Sequence, residues 1–329
     1  MARFYPLQVQ ELRRDTREAV VLTLEPRDED RDAFAFIQGQ YLTFRRDFDG
    51  EELRRSYSIC AGLDDGVLRV GIKRVDGGCF SCWANESLQE GDVLEAVPPM
   101  GAFHSPIEPD ADNYYLGFAG GSGITPFRSF IQQLAADAPD RDVHLLYYNE
   151  AMTPLFANEW QQLERQLPGL KISQIDTSQQ GMITRQQLLT HCPDAADRTA
   201  WLCGPYGLIE TSRSLLLDLG VTEQDIHHEL FGPRTIDPST IKQAGSVYFS
   251  RSGVRVATTK QSTTPLLTLA EQARLNPISG CRMGVCHQCT CRKQHGLVYN
   301  TLTGQTSDTG GEDIQLCVSL PVGDVQLDL

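Results

Sequence analysis

The rhythm of apolar and polar positions changes twice along this 329-residue chain. Up to about residue 105, short β-rich runs recur: Val20-Val21-Leu22-Thr23-Leu24, Gln40-Tyr41-Leu42-Thr43-Phe44 and Leu68-Arg69-Val70-Gly71-Ile72-Lys73. Asp49-Gly50, Asp65-Gly66, Gly77-Gly78 and Pro98-Pro99 punctuate them as turns. Many short strands at this spacing predict an antiparallel β-barrel. From Asn113 the texture alternates. Strands are expected at 114–118, 143–148, 170–175 and 199–203, and helices over 127–134, 158–167, 185–191 and 206–219. That alternation predicts a parallel α/β sheet. A Pro/Thr/Ser/Gln-rich stretch, 233–245, reads as a linker. A small β-rich unit, 246–329, follows, with one helix expected over 266–275.

Length alone calls for two or three domains, and the rhythm places them at 1–107, 108–232 and 246–329. The N-terminus has no apolar h-region, and no run is long enough to span a membrane. A cytoplasmic protein without membrane insertion of its own is expected. Ten cysteines in that setting point to reduced thiols and metal ligation, not to a disulfide framework. A net charge of −14 argues against nucleic acid as a partner. The last unit departs from that balance, with six acidic residues against seven basic ones. Arg282, Arg292 and Lys293 fall around its cysteines, so a basic rim there, able to steer an acidic partner, is one expectation. A solvated loop is the other.

Four cysteines carry the sharpest chemistry. Cys281, Cys286 and Cys289 form C-x₄-C-x₂-C, and Cys317 follows after 27 intervening residues. This is the spacing of plant-type 2Fe–2S ferredoxins, where four soft thiolates hold two irons. Zinc sites more often show paired C-x₂-C knuckles or histidines. Cys291 does not fit the spacing and reads as a nearby non-ligand.

Three further patterns are weaker singly. Arg55-Ser56-Tyr57-Ser58, placed at the start of a strand-like run, offers a cation, a ring and hydroxyls. Lys73-Arg74 leads to Gly77-Gly78-Cys79-Phe80-Ser81, whose glycines at a helix start can present N–H groups to a phosphate. Gly120-Gly121-Ser122-Gly123, between a strand and a helix, can cradle a pyrophosphate. It lacks both the Walker lysine and the complete G-x-G-x-x-G fingerprint. Cys203-Gly204-Pro205 closes a later strand at the corresponding sheet edge, where ligands of such sheets bind.

Taken in order, R-x-Y-S, K-R-x-x-G-G-x-x-S, A-G-G-S-G-I-T-P, C-G-P and the cysteine loop resemble the ferredoxin–NADP reductase superfamily, in its members with a fused C-terminal ferredoxin domain. The resemblance covers essentially the whole chain. It implies an antiparallel β-barrel flavin domain, an α/β parallel-sheet nucleotide domain and a β-grasp-like 2Fe–2S domain. It places Arg55 on the flavin phosphate, Tyr57 against the isoalloxazine and Ser58 near N5, as the nearest thing to a catalytic residue. Lys73, Gly78 and Ser81 fall on the ribityl–phosphate portion. Gly121, Ser122, Gly123 and Thr125 line the nicotinamide and pyrophosphate site, faced by Cys203 and Gly204. Phe231 falls where family members put an aromatic near the flavin, and it reads equally as a core ring.

The implied activity is an NAD(P)H:acceptor oxidoreductase. Hydride brings two electrons and a 2Fe–2S cluster takes one, so a flavin must lie between them. FAD is favoured over FMN. The cysteine loop and the tail are similar to reductases of membrane fatty-acid desaturases, so a membrane desaturase or alkane hydroxylase is the expected acceptor. Peripheral residence at the membrane would then come through that acceptor. A Rieske-type or other oxygenase is the alternative acceptor, and a self-contained small-molecule reductase or a redox sensor the alternative roles. Asn149-Glu150 after the second strand of the α/β unit leans toward NADH, whereas the desaturase-reductase likeness leans toward NADPH.

Overall fold

The computed structural model describes residues 3–104, 114–150, 154–231, 244–260, 262–282, 284 and 286–329. The chain divides into two compact units, Phe4–Gly232 and the chain that follows.

In the first unit, β1 (Tyr5–Thr16), β2 (Ala19–Pro26), β3 (Tyr41–Phe48), β4 (Glu51–Ser58), β5 (Leu68–Lys73) and β6 (Val93–Met100) form one antiparallel sheet in the order β4-β3-β6-β1-β2-β5. The bridge between Ile59 and Val70 joins its two edges, so the sheet curls into the expected barrel. Alternation along the strands sends Leu7, Val20, Leu22, Phe44, Val70 and Ile72 inward. Helix α1 (Cys79–Glu86) adds Phe80 and Ala84 to that core.

The rest of the unit is a parallel sheet of β7 (Tyr114–Gly120), β8 (Asp142–Asn149), β9 (Leu170–Asp176), β10 (Thr199–Gly204) and β11 (Ile226–Leu230), in the order β11-β10-β7-β8-β9. Around it run α2 (Thr125–Asp137), α3 (Ala157–Gln166), the single turn α4 (Thr177–Gln180), α5 (Arg185–His191) and α6 (Tyr206–Asp218). Phe127, Phe130, Ile131 and Leu134 of α2 are buried, as their helical spacing predicts. The strand order reverses between β7 and β10, and at such a switch point a crevice opens beyond the carboxyl ends.

Ion pairs lock barrel to sheet. Arg128 of α2 donates to Cys60 O and to Glu159 Oε2, the latter at 2.6 Å, while Arg13 of β1 reaches Glu159 Oε1 at 2.6 Å. Ser129 Oγ donates to Ala61 O at 2.6 Å. Barrel edge and switch point are thereby held in register.

In the second unit, β12 (Gly245–Phe249), β13 (Val254–Thr258), β14 (Thr290–Asn300), β15 (Glu312–Gln315) and β16 (Ser319–Leu327) form a mixed sheet in the order β13-β12-β16-β14-β15. Helix α7 (Leu266–Gln272) supplies Leu266, Leu267, Leu269 and Ala270 to its core. The expected linker lies almost wholly outside the described residues. Its last residue, Gly245, already belongs to β12, because a Cβ there would meet Gly323 C at 2.2 Å, close against the neighbouring chain. The boundary expected at 107/108 also lies outside the described residues. No helix among them is long and apolar enough to cross a membrane.

Candidate functional site

The motif Arg55–Ser58 lies at the end of β4, not at the start of a strand as its sequence suggests. The reason is the Asp49-Gly50 turn, which starts β4 at Glu51, well before the motif. Arg55 is exposed, and its Nη1 donates to Arg54 O at 2.7 Å. Tyr57 is half-buried, its ring 5.7 Å from that of Phe80 and 6.2 Å from that of Phe44. Burial pushes its phenol well above the usual range, so it serves as a neutral ring surface. Ser58 is 2 % exposed, and its Oγ has no hydrogen-bond partner among the described residues.

From Ser58 the contacts run directly to the α/β sheet. Ile59 bridges Val70, and a Cβ on the next residue, Gly71, would sit 3.0 Å from Thr125 Cγ2. Thr125 is 1 % exposed and donates from Oγ1 to Ser122 O at 2.8 Å, which shapes the turn Gly121–Ile124. A Cβ on Gly121 would lie 3.9 Å from Lys73 Nζ. A Cβ on Gly123 would strike Cys203 O at 2.2 Å, so only glycine lets the two turns at the switch point touch backbone to backbone. Phe231 N donates to Gly204 O at 2.8 Å, and its ring packs on the core beside Cys203. Gly71 and Lys73 of the barrel thus lie beside the glycine turn, which meets Cys203 backbone to backbone, and Phe231 is tied to Gly204.

Gly78 and Ser81 sit at the entrance of α1. Ser81 Oγ accepts from Val75 N at 3.1 Å and donates to Gly78 O at 3.2 Å. The Ser81 hydroxyl therefore holds the turn that opens α1.

Sequence reasoning missed Glu229. It lies on β11 opposite Cys203, and its Oε2 is enclosed without a partner among the described residues. Desolvation raises its carboxyl to about 7, and burial with the nearby Glu229 raises the Cys203 thiol well above its ordinary value. No motif marks Glu229. Its strand, Ile226-His227-His228-Glu229-Leu230, is mostly polar and gave no signal that the carboxyl is enclosed.

The unpartnered Ser58 Oγ at the barrel edge and the backbone-to-backbone switch point fit a polar cofactor that would supply a hydrogen-bond partner.

In the second unit the four cysteines fall into two pairs. Cys281 N donates to Cys286 Sγ at 3.2 Å and Cys286 N to Cys281 Sγ at 3.4 Å. Cys289 Sγ lies 3.2 Å from Cys317 Sγ, and that contact pulls the Cys289 thiol down to about 7. Two sulfurs per iron is what a two-iron centre requires of a donor set. Gly284, at φ 79°, turns the loop where a Cβ would strike Leu302 Cδ1 at 2.4 Å. Cys291 points elsewhere, its Sγ 3.8 Å from Arg292 O and from Asp328 O, which agrees with a non-ligand role.

The basic rim is corrected. Lys293 is 0 % exposed, and its Nζ donates to Gly296 O, Asp308 O and Gly310 O at 2.6–2.9 Å and pairs with Glu312 at 3.1 Å. Arg282 pairs with Glu271 at 2.8 Å, and Arg292 with Asp313 at 3.3 Å. These cations satisfy local acceptors and do not form a free positive surface.

Residues 7–105 match the family described as Oxidoreductase FAD-binding domain, and residues 118–214 the Oxidoreductase NAD-binding domain. An NADPH oxidoreductase of Mycobacterium tuberculosis (strain ATCC 25618 / H37Rv) is 30% identical over 324 residues, covering 97% of this chain and 82% of the relative. A component of the 1,2-phenylacetyl-CoA epoxidase of Escherichia coli (strain K12) is 28% identical over 320 residues, covering 91% of this chain and 89% of the relative. Among solved structures, phthalate dioxygenase reductase superposes with a TM-score of 0.69 at 23% identity, over 99% of this chain and 98% of that one. The chain therefore belongs to the ferredoxin–NADP reductase-like oxidoreductases, with an FAD-binding barrel and an NAD(P)-binding parallel sheet.

Proposed function

We propose that the chain is the reductase component of an oxygenase system, drawing electrons from NAD(P)H and passing them singly to a protein acceptor through a 2Fe–2S cluster held by Cys281, Cys286, Cys289 and Cys317. The observation that carries this reading is the pairing of those four sulfurs in two twos. We assign 1–107 to FAD, 108–232 to the nicotinamide nucleotide and 246–329 to the cluster.

When bound, the flavin would take two electrons as one hydride and the cluster would take electrons one at a time, which matches a two-electron donor to a one-electron acceptor. The chain's own residues bind and position. Arg55 would hold the flavin phosphate, with Lys73, Gly78 and Ser81 along its ribityl–phosphate portion. Tyr57 would cover the ring and Ser58 its N5 edge, with Phe231 near it. Gly121, Ser122, Gly123 and Thr125, faced by Cys203 and Gly204, would seat the nicotinamide. Glu229, titrating near neutrality, would present a carboxyl at the same crevice.

The names of the relatives favour an oxygenase acceptor over a membrane desaturase or alkane hydroxylase. They include an epoxidase component of Escherichia coli and the reductase of a glycine betaine monooxygenase of Pseudomonas aeruginosa. The superposed phthalate dioxygenase reductase is described as a modular structure for electron transfer from pyridine nucleotides to a 2Fe–2S centre, and it spans nearly this whole chain. Anaerobically prepared protein should carry equimolar iron and acid-labile sulfide, near two of each per flavin. Such protein should also reduce cytochrome c with NADH or NADPH. Zinc in place of iron would overturn the cluster assignment.

A further inference from the structure

One motif is not used by this function. Cys79-Phe80-Ser81-Cys82 places two thiols three residues apart at the opening of α1, the helix assigned to the flavin's ribityl–phosphate portion. Cys79 is the one exposed cysteine among the ten, and Cys82 is half-buried. Both lie in the first turn, with Cys82 N donating to Gly78 O at 2.9 Å. The Cys82 thiol donates to Val75 O at 3.3 Å, and Gly78 N donates to the same carbonyl at 2.9 Å. Phe80, between the cysteines, packs against Phe44 and Tyr57 with centroids 6.2 and 5.7 Å apart. Residues at i and i+3 on a helix have Cβ atoms about 5–6 Å apart, whereas a disulfide needs about 3.5–4.5 Å. Closing the pair must tighten the first turn and remove the thiol from Val75 O. That disturbs Gly78, Ser81 and the ring contact to Tyr57 together.

We propose that Cys79 and Cys82 form a reversible disulfide that loosens the flavin, making this turn a modification site for hydrogen peroxide. The exposed Cys79 sulfur attacks one peroxide oxygen, the O–O bond breaks, and water leaves a sulfenic acid behind. Cys82 sulfur then attacks that sulfur, the S–O bond breaks, and a second water departs. The two thiols lose two electrons and two protons, and peroxide is reduced to two waters. A dithiol reverses the step by exchange. The proposal rests on the flavin assignment to α1 made above.

The test uses flavin-loaded, fully reduced protein. It is treated with hydrogen peroxide, quenched with catalase, alkylated and mapped by mass spectrometry, and released flavin is read by fluorescence after filtration. The expected result is a Cys79–Cys82 peptide lighter by two hydrogens, flavin bound roughly tenfold more weakly, and both reversed by dithiothreitol. Cys79→Ser and Cys82→Ser should keep their flavin under the same treatment. Absence of the linked peptide, a linked peptide with flavin binding unchanged, or equal flavin loss in both serine variants would each overturn the proposal. Arg55→Ala, which keeps both thiols, reads the flavin assignment separately. Unaltered flavin affinity in that variant would sink the assignment, whatever the peroxide result.

Discussion

Ser58 shows how one atom can argue for a ligand. A buried hydroxyl without a partner costs free energy, and native proteins rarely tolerate it unless something else arrives to pair with it. Removing it should therefore leave the flavin-free fold untouched. Ser58→Ala is expected to keep the unfolding free energy within about 0.5 kcal/mol. Flavin reduction by the nicotinamide should slow about 2- to 10-fold, the worth of one neutral hydrogen bond. Thermal denaturation and stopped-flow absorbance read the two effects separately. A loss of stability with an unchanged rate would make the hydroxyl a structural group. Glu229 Oε2 is another unpartnered buried atom, and the sequence hid it for a physical reason. Its carboxyl is raised by desolvation, and its pairing with Cys203 across the parallel sheet leaves no local pattern in either strand.

At the scale of elements, hydrophobic rhythm was a good guide wherever burial follows polarity. The α/β strands and helices that were expected fall within a few residues of their positions, and β5 and α5 coincide with them, whereas β11, mostly polar in sequence, and the single turn α4 were not foreseen. The errors have local causes. The R-x-Y-S motif ends its strand because the preceding turn starts β4 early. Lys293 was read as surface because it is charged. Yet Cys291 and Lys293 share the buried phase of β14, so alternation pointed inward and charge was allowed to override it. Its ammonium gathers three carbonyls of the returning chain, Gly296, Asp308 and Gly310, pinning β14 to the segment before β15. Lys293→Met should cost about 3–5 kcal/mol, since it strands those carbonyls and the facing Glu312 carboxylate. Urea unfolding of the variant measures this. A loss below about 1 kcal/mol would mean that the amine spends its time in water.

At the scale of the molecule, the two units have separate cores. The flavin and nucleotide clusters of side chains draw on residues from Leu7 to Phe231, and the cysteine-bearing core on residues from Val247 onward. Each carries its own candidate chemistry, so the two half-reactions should come apart by mutation. Cys286→Ser removes one sulfur of the Cys281–Cys286 pair, and an incomplete donor set should not hold the cluster. NAD(P)H-dependent ferricyanide reduction, which draws on the flavin alone, should stay within about twofold, because the substitution falls in the unit that has its own separate core. Reduction of cytochrome c or of an oxygenase partner should fall at least about tenfold, because the cluster that relays electrons from the flavin to a protein acceptor is then missing. Cys291→Ser should leave both rates and the iron content intact, since that sulfur faces Arg292 O and Asp328 O instead of its neighbours' thiols. Iron analysis beside the two assays decides the matter. If Cys286→Ser lost ferricyanide activity in step with iron, flavin and cluster could not be housed in independently folded units.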